Sequence, residues 1–128
     1  MAYELGSRSR RKLEGVHPDL VAVVKRAIEI TEQDFTVIEG IRSVERQREL
    51  KRLGFSKTLN SRHITGHAVD IVPYPIPSDW KHYEDWQWDA VASAMIEAAE
   101  ELEVDLEWGY QKWGWDKPHY QLSRKDYP

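Results

Sequence analysis

The 128-residue chain contains no cysteine. That one absence removes disulfides, thiolate metal sites and cysteine nucleophiles together, so any bound metal must be held by histidine and carboxylate. Long apolar runs are missing as well. Stretches such as Leu20 to Val24 fall far short of the roughly 18 residues needed to cross a bilayer, and no stable membrane association is expected. Nor is there an excess of positive charge: the formal net charge is −4, unlike the basic footprint that neutralises phosphates, so nucleic acid is not an expected partner. The first twelve residues carry arginines but no following apolar segment, so no signal peptide is expected and the chain should stay in the cytoplasm until something else releases it.

What is present is globular in character. Apolar residues make up 41% and charged residues 31%, with six tryptophans and six tyrosines, so the chain should fold throughout. Without an internal repeat or low-complexity linker, residues 1–128 are expected to form one domain, and a monomer.

Periodicity supplies the elements. Leu20, Val23, Val24, Ala27 and Ile28 form one apolar stripe, predicting a helix from about Pro18 to Glu32. Phe35 to Glu39 is β-branched and aromatic and is followed by Gly40, which predicts a strand. Ser43 reads as the N-cap of a charged, mostly solvent-facing helix ending near Leu53-Gly54. Residues 54–65 are polar and without period. Ala68 to Val72 alternates as a strand up to Pro73, and the prolines at 73, 75 and 77 mark a loop. Trp88, Val91, Ala92, Met95, Ile96, Ala99 and Leu102 share one face of a long helix, about Glu84 to Glu103, expected to back the sheet. Val104 to Trp108 and His119 to Leu122 are predicted as two short strands flanking a turn rich in Trp and Gly. The fold class expected is α+β, with about three helices around a small, mainly antiparallel sheet and the metal site at the sheet face.

Two segments place nitrogen and oxygen donors at strand ends: Ser61-Arg62-His63-Ile64-Thr65-Gly66-His67-Ala68-Val69-Asp70 and Trp115-Asp116-Lys117-Pro118-His119-Tyr120. A catalytic zinc takes three protein ligands and leaves one position open, a demand that two histidines and one aspartate satisfy. Gly66 permits a sharp bend that returns His63 toward Asp70. Ala68 shares a strand face with Asp70, leaving room beside it, while Val69 and Ile71 face the core. Pro118 interrupts a regular ladder just before His119, so Asp116 can sit on a turn. His67 follows His63 by four residues, but the glycine between them argues against a helix, and His67 is left unassigned. His17 and His82 read as surface residues. Trp108, Trp113 and Trp115 read mainly as core, with one expected to wall a cleft.

These residues resemble the D-alanyl-D-alanine carboxypeptidase and dipeptidase group of zinc peptidases. The group's pattern, Ser-x-His-x-x-Gly-x-Ala-x-Asp and later an acid, two residues and a His, is met by Ser61, His63, Gly66, Ala68, Asp70, Asp116 and His119. Within it the chain is most similar to the L-alanyl-D-glutamate peptidases of bacteriophage endolysins, from about Gly15 to Leu122. The resemblance implies one zinc ion on His63, Asp70 and His119, Asp116 as catalytic acid-base, and Arg42 as a cation for the substrate carbonyl or carboxylate. Ser61, Gln47 and Trp115 are candidate substrate contacts, and peptidoglycan stem peptides the expected partner. The implied localisation is the host cytoplasm until release to the cell wall, with no separate wall-binding domain. Two alternatives stay open: a D-alanyl-D-alanine carboxypeptidase or dipeptidase, and a noncatalytic zinc-binding module of hedgehog-like type.

Overall fold

The computed structural model describes residues 2–56, 58 and 61–128, so part of the non-periodic connection at 54–65 lies outside the described residues. In chain order the elements are α1 (Ser7–Lys12), α2 (Pro18–Ile30), β1 (Phe35–Glu39), α3 (Val44–Arg52), β2 (Ala68–Pro73), α4 (Asp85–Glu101), β3 (Leu106–Trp108), α5 (Gly109–Trp113) and β4 (His119–Leu122). A single turn of 3-10 helix at Trp80–His82 precedes α4. The four strands lie in the order β1-β2-β4-β3, and every neighbouring pair is antiparallel.

Strand alternation divides the sheet into two unlike faces. Phe35 and Val37 of β1, Val69 and Ile71 of β2, and Tyr120 and Leu122 of β4 enter one core with α2 and α4. Leu20, Val23, Val24 and Ala27 of α2 meet Val91, Met95 and Ala98 of α4 there, all essentially inaccessible to water. The other face carries Ala68 and Asp70 of β2, with His119 and Gln121 of β4 beside them. An irregularity between Val37 and Glu39 shifts the register so that Glu39 pairs with Asp70, and Asp70 pairs in turn with His119. A bulge re-aims side chains at a strand end, and here it aligns two carboxylates and an imidazole across three strands.

The expected α+β class and antiparallel sheet hold, while the described residues contain five α-helices instead of about three. Both additions are short. α1 is Ser-Arg-Ser-Arg-Arg-Lys, with no apolar stripe to reveal it, and it is held by Ser9, whose hydroxyl bonds Thr36 Oγ1 and accepts from the Val37 amide. α5 occupies the stretch read as a turn. α3 is solvent-facing as expected, with Gln47 its one buried residue.

The segment after α1 presses closely on the chain that carries the polar face. A Cβ on Gly40 would collide with the Lys12 carbonyl oxygen, and one on Gly66 would come within 2.7 Å of the Gly15 carbonyl oxygen. Gly66 also sits at φ +77°, the left-handed region that favours glycine.

Candidate metal centre and cleft

His63 sits on the turn before β2, 2% exposed, and its ring is fixed from behind. Its Nδ1–H donates to the Gly40 carbonyl at 2.9 Å, which leaves Nε2 as the lone-pair nitrogen of the neutral ring, 3.2 Å from Asp70 Oδ1. His119 approaches the same oxygen from β4: its Nδ1 lies 3.3 Å from Asp70 Oδ1, while its Nε2 is 2.8 Å from Gln121 Oε1. Gln121 Nε2 donates to Glu107 Oε1 at 2.8 Å, so the amide oxygen faces His119 and the protonated ring nitrogen is Nε2.

Two imidazole lone pairs and a carboxylate oxygen therefore converge on one point, with donor atoms of all three residues within 4.8 Å of one another. Neutral rings in these tautomers have no hydrogen to offer Asp70, so the contact requires a proton or a cation between them. A hydrogen bond from the outward nitrogen of each ligating ring is the usual support of a histidine metal ligand. The residues present fit a divalent ion.

Burial would raise the Asp70 carboxyl, but attraction to His63 and hydrogen bonds with both rings outweigh it and hold the group well below the usual carboxylate range. Burial likewise opposes charge on His119, yet its contacts with Asp70 win and raise it. Asp116 is shifted upward, chiefly by burial, with a further push from the Asp70 charge.

The cluster lies in a cleft of about 860 Å³. Glu39 and Arg42 line its β1 side; Phe55, Ser56 and Thr58 come from the connection after α3; Trp113, Trp115 and Asp116 come from the α5 end. Arg62 is buried behind the His63 turn, where it donates to the Leu122 carbonyl at 3.1 Å and also to that of Tyr127.

A family model described as phage L-alanyl-D-glutamate peptidase matches residues 1–126. The chain belongs to that family. It is 36% identical over 113 residues to the L-alanyl-D-glutamate peptidase of Escherichia phage T5, covering 85% of this chain and 81% of the relative. The crystal structure of the Serratia marcescens L-Ala D-Glu endopeptidase ChiX is 43% identical, with a TM-score of 0.87 over 99% of this chain and 95% of that one. The vancomycin-resistance D,D-dipeptidase VanXYg shares the fold at 16% identity and a TM-score of 0.55, over 84% of this chain and 50% of that one. Family membership makes the protein a peptidase.

In this peptidase His63, Asp70 and His119 come together as the sequence predicted. Asp116 lines the same cleft, half-buried and at φ +66°. Arg42 also lines it, but is held: Nε and one terminal nitrogen donate to the two Glu39 oxygens at 2.6 Å, and the other donates to Gln47 Oε1 at 2.6 Å. Three of the five donors are thereby used, leaving two N–H groups, with one terminal nitrogen 3.8 Å from Asp70 Oδ2.

Gln47, a candidate substrate contact, is turned away from solvent. It is fully buried behind Arg42, and its amide nitrogen donates to Ser56 Oγ and the Thr58 carbonyl. Ser61 is at the cleft, and its hydroxyl accepts from the His63 amide at 3.2 Å, which orders the turn. Trp115 and Trp113 depart from the core reading: they are 52% and 43% exposed and wall the cleft, with the Trp113 ring 5.4 Å from that of His119. Trp108 packs against the core and donates its indole N–H to the Lys117 carbonyl. His67 stands outside the cluster, its ring 5.4 Å from that of His17. Sequence reasoning missed Glu39, Glu107 and the supporting role of Gln121. A carboxylate opposite Asp70 is signalled only by a bulge, which has no sequence signature here.

Proposed function

We propose that this protein is a zinc-dependent endopeptidase of phage endolysin type that hydrolyses the bond between L-alanine and D-glutamate in peptidoglycan stem peptides. The observation that carries this reading is the convergence of His63 Nε2, His119 Nδ1 and Asp70 Oδ1, with each ring's other nitrogen already committed to an acceptor. The names of the T5 and ChiX relatives support the bond cleaved.

His63, Asp70 and His119 would hold the ion. When bound, zinc supplies Lewis acidity, polarising a carbonyl and making hydroxide accessible near neutral pH. Asp116 takes the proton from the attacking water and returns it to the leaving amine, and its partial burial, which already favours the protonated form, suits it to the second half of that task. Arg42, with two N–H groups left beyond its bonds to Glu39 and Gln47, stabilises negative charge developing on the carbonyl oxygen. Trp113 and Trp115 flank the bound peptide. Residues 1–128 act as one catalytic domain on the wall after release from the cytoplasm.

The test is product analysis on purified murein with zinc supplied. New N-terminal D-glutamate is expected; release of D-alanine, the outcome of a carboxypeptidase, would overturn the bond assignment, and no cleavage at all would overturn the reading.

A further inference from the structure

The two ligand histidines are oriented by different means. His63 leans on a backbone carbonyl, whereas His119 leans on a chain of side chains. Gln121, 6% exposed in β4, pairs across the sheet with Glu107 of β3. Its amide spans the gap between His119 Nε2 and Glu107 Oε1, at 2.8 Å on each side. The second Glu107 oxygen accepts from Lys112 Nζ of α5, also at 2.8 Å.

Each link of this chain has a fixed direction. Ionised by its lysine, Glu107 can only accept, so Gln121 must turn its NH₂ toward it and its oxygen toward His119. That oxygen can only accept, so His119 must carry its proton on Nε2. We propose that Gln121 and Glu107 are positioning residues that set the tautomer of His119, keeping the Nδ1 lone pair directed into the metal site. The proposal rests on the reading of His119 as a metal ligand. It also joins that ligand to α5, the helix whose last residue, Trp113, walls the cleft.

The test uses two variants: Gln121→Met, which keeps length but has no acceptor for the ring, and the exchange Gln121→Glu with Glu107→Gln, which reverses the amide and carboxylate yet still gives His119 an acceptor. Nitrogen NMR of the metal-free protein in an Asp70→Ala background, where no carboxylate competes for the Nδ1 proton, at a pH where the ring is neutral, reports the tautomer. Zinc affinity is measured with Asp70 in place, by competition with a chromophoric chelator.

Wild type is expected as the Nε2–H tautomer. Gln121→Met should give a mixture and lose roughly 10- to 100-fold in zinc affinity, the usual effect of removing such a partner. The exchange should restore both the tautomer and most of the affinity. Wild-type affinity and tautomer in Gln121→Met would overturn the proposal. So would an exchange variant as weak as Gln121→Met while equally heat-stable, because the position would then matter for packing alone. If Gln121→Met does not fold, Glu107→Ala, which removes the charge that orients the amide, takes its place with the same expected and overturning results. Absence of zinc binding in wild type beyond a His63→Ala control would sink the metal reading, and the tautomer measurement would still decide the relay.

Discussion

The two faces of the sheet use the same strands for opposite purposes. On one, Val69, Ile71, Tyr120 and Leu122 are sealed under α2 and α4; on the other, one residue over along each strand, Asp70, His119 and Gln121 are held mainly by hydrogen bonds. The first face has many interchangeable contacts, so its energy is spread among them. The second has few partners, each with a required direction, so a single change there is expected to alter chemistry without removing the fold.

The sharpest way to break that contrast is to empty the polar face. Chelation, or Asp70→Ala, should reduce murein hydrolysis to background while circular dichroism still reports a folded protein, and zinc should restore the chelated enzyme but not the variant. Unfolding on chelation would mean the two faces are not independent.

Asp116→Asn comes next, with a loss of roughly 10²–10⁴-fold in kcat, the range for a general acid-base, and retained zinc binding. Its stability should move the other way. Folding raises the Asp116 carboxyl above its ordinary value, mainly through burial, so the folded state holds the proton more tightly than the unfolded one. Wild-type stability from this group therefore falls as pH rises from the unfolded value, about 3.9, through the raised folded one. In the metal-free protein Asp116→Asn should have a Tm at least equal to wild type, with a gap that widens over that pH range. Asparagine also tolerates the left-handed backbone at this position.

On the apolar face, Leu20→Ala should cost about 2–5 kcal/mol in denaturant unfolding, with kcat/KM per folded molecule unchanged. The smallest effect is expected at the rim. Trp115→Ala should raise KM by about two- to tenfold, the worth of one aromatic contact, and leave kcat and Tm in place.

The same contrast explains what could be read before the structure. Core positions announce themselves by period, so α2, α4 and the strand carrying Val69 and Ile71 fall close to their predicted bounds. His63, Asp70, Asp116 and His119 were legible for another reason: donors of that type at strand ends, beside Gly66 and Pro118, match a known family pattern. What failed was whatever depends on a neighbour from elsewhere in the chain. Gln47 sits on a charged, mostly solvent-facing helix that gives no sign of a buried position, yet Arg42 and Ser56 close over it. Trp113 and Trp115 are large and apolar, and their exposure follows from the cleft they border. α1 has no stripe, and tertiary packing, chiefly against β1, holds it.

The contact behind Gly40 gives α1 a use that its charged sequence conceals. The carbonyl at the end of that helix abuts Gly40, whose own carbonyl steers the His63 ring. A shortened protein beginning at Pro18 would retain each side chain proposed for chemistry, yet lose Leu13 and Val16 from the core and the buttress against which one ligand is aimed. Anyone seeking a minimal lytic module from this scaffold should trim elsewhere.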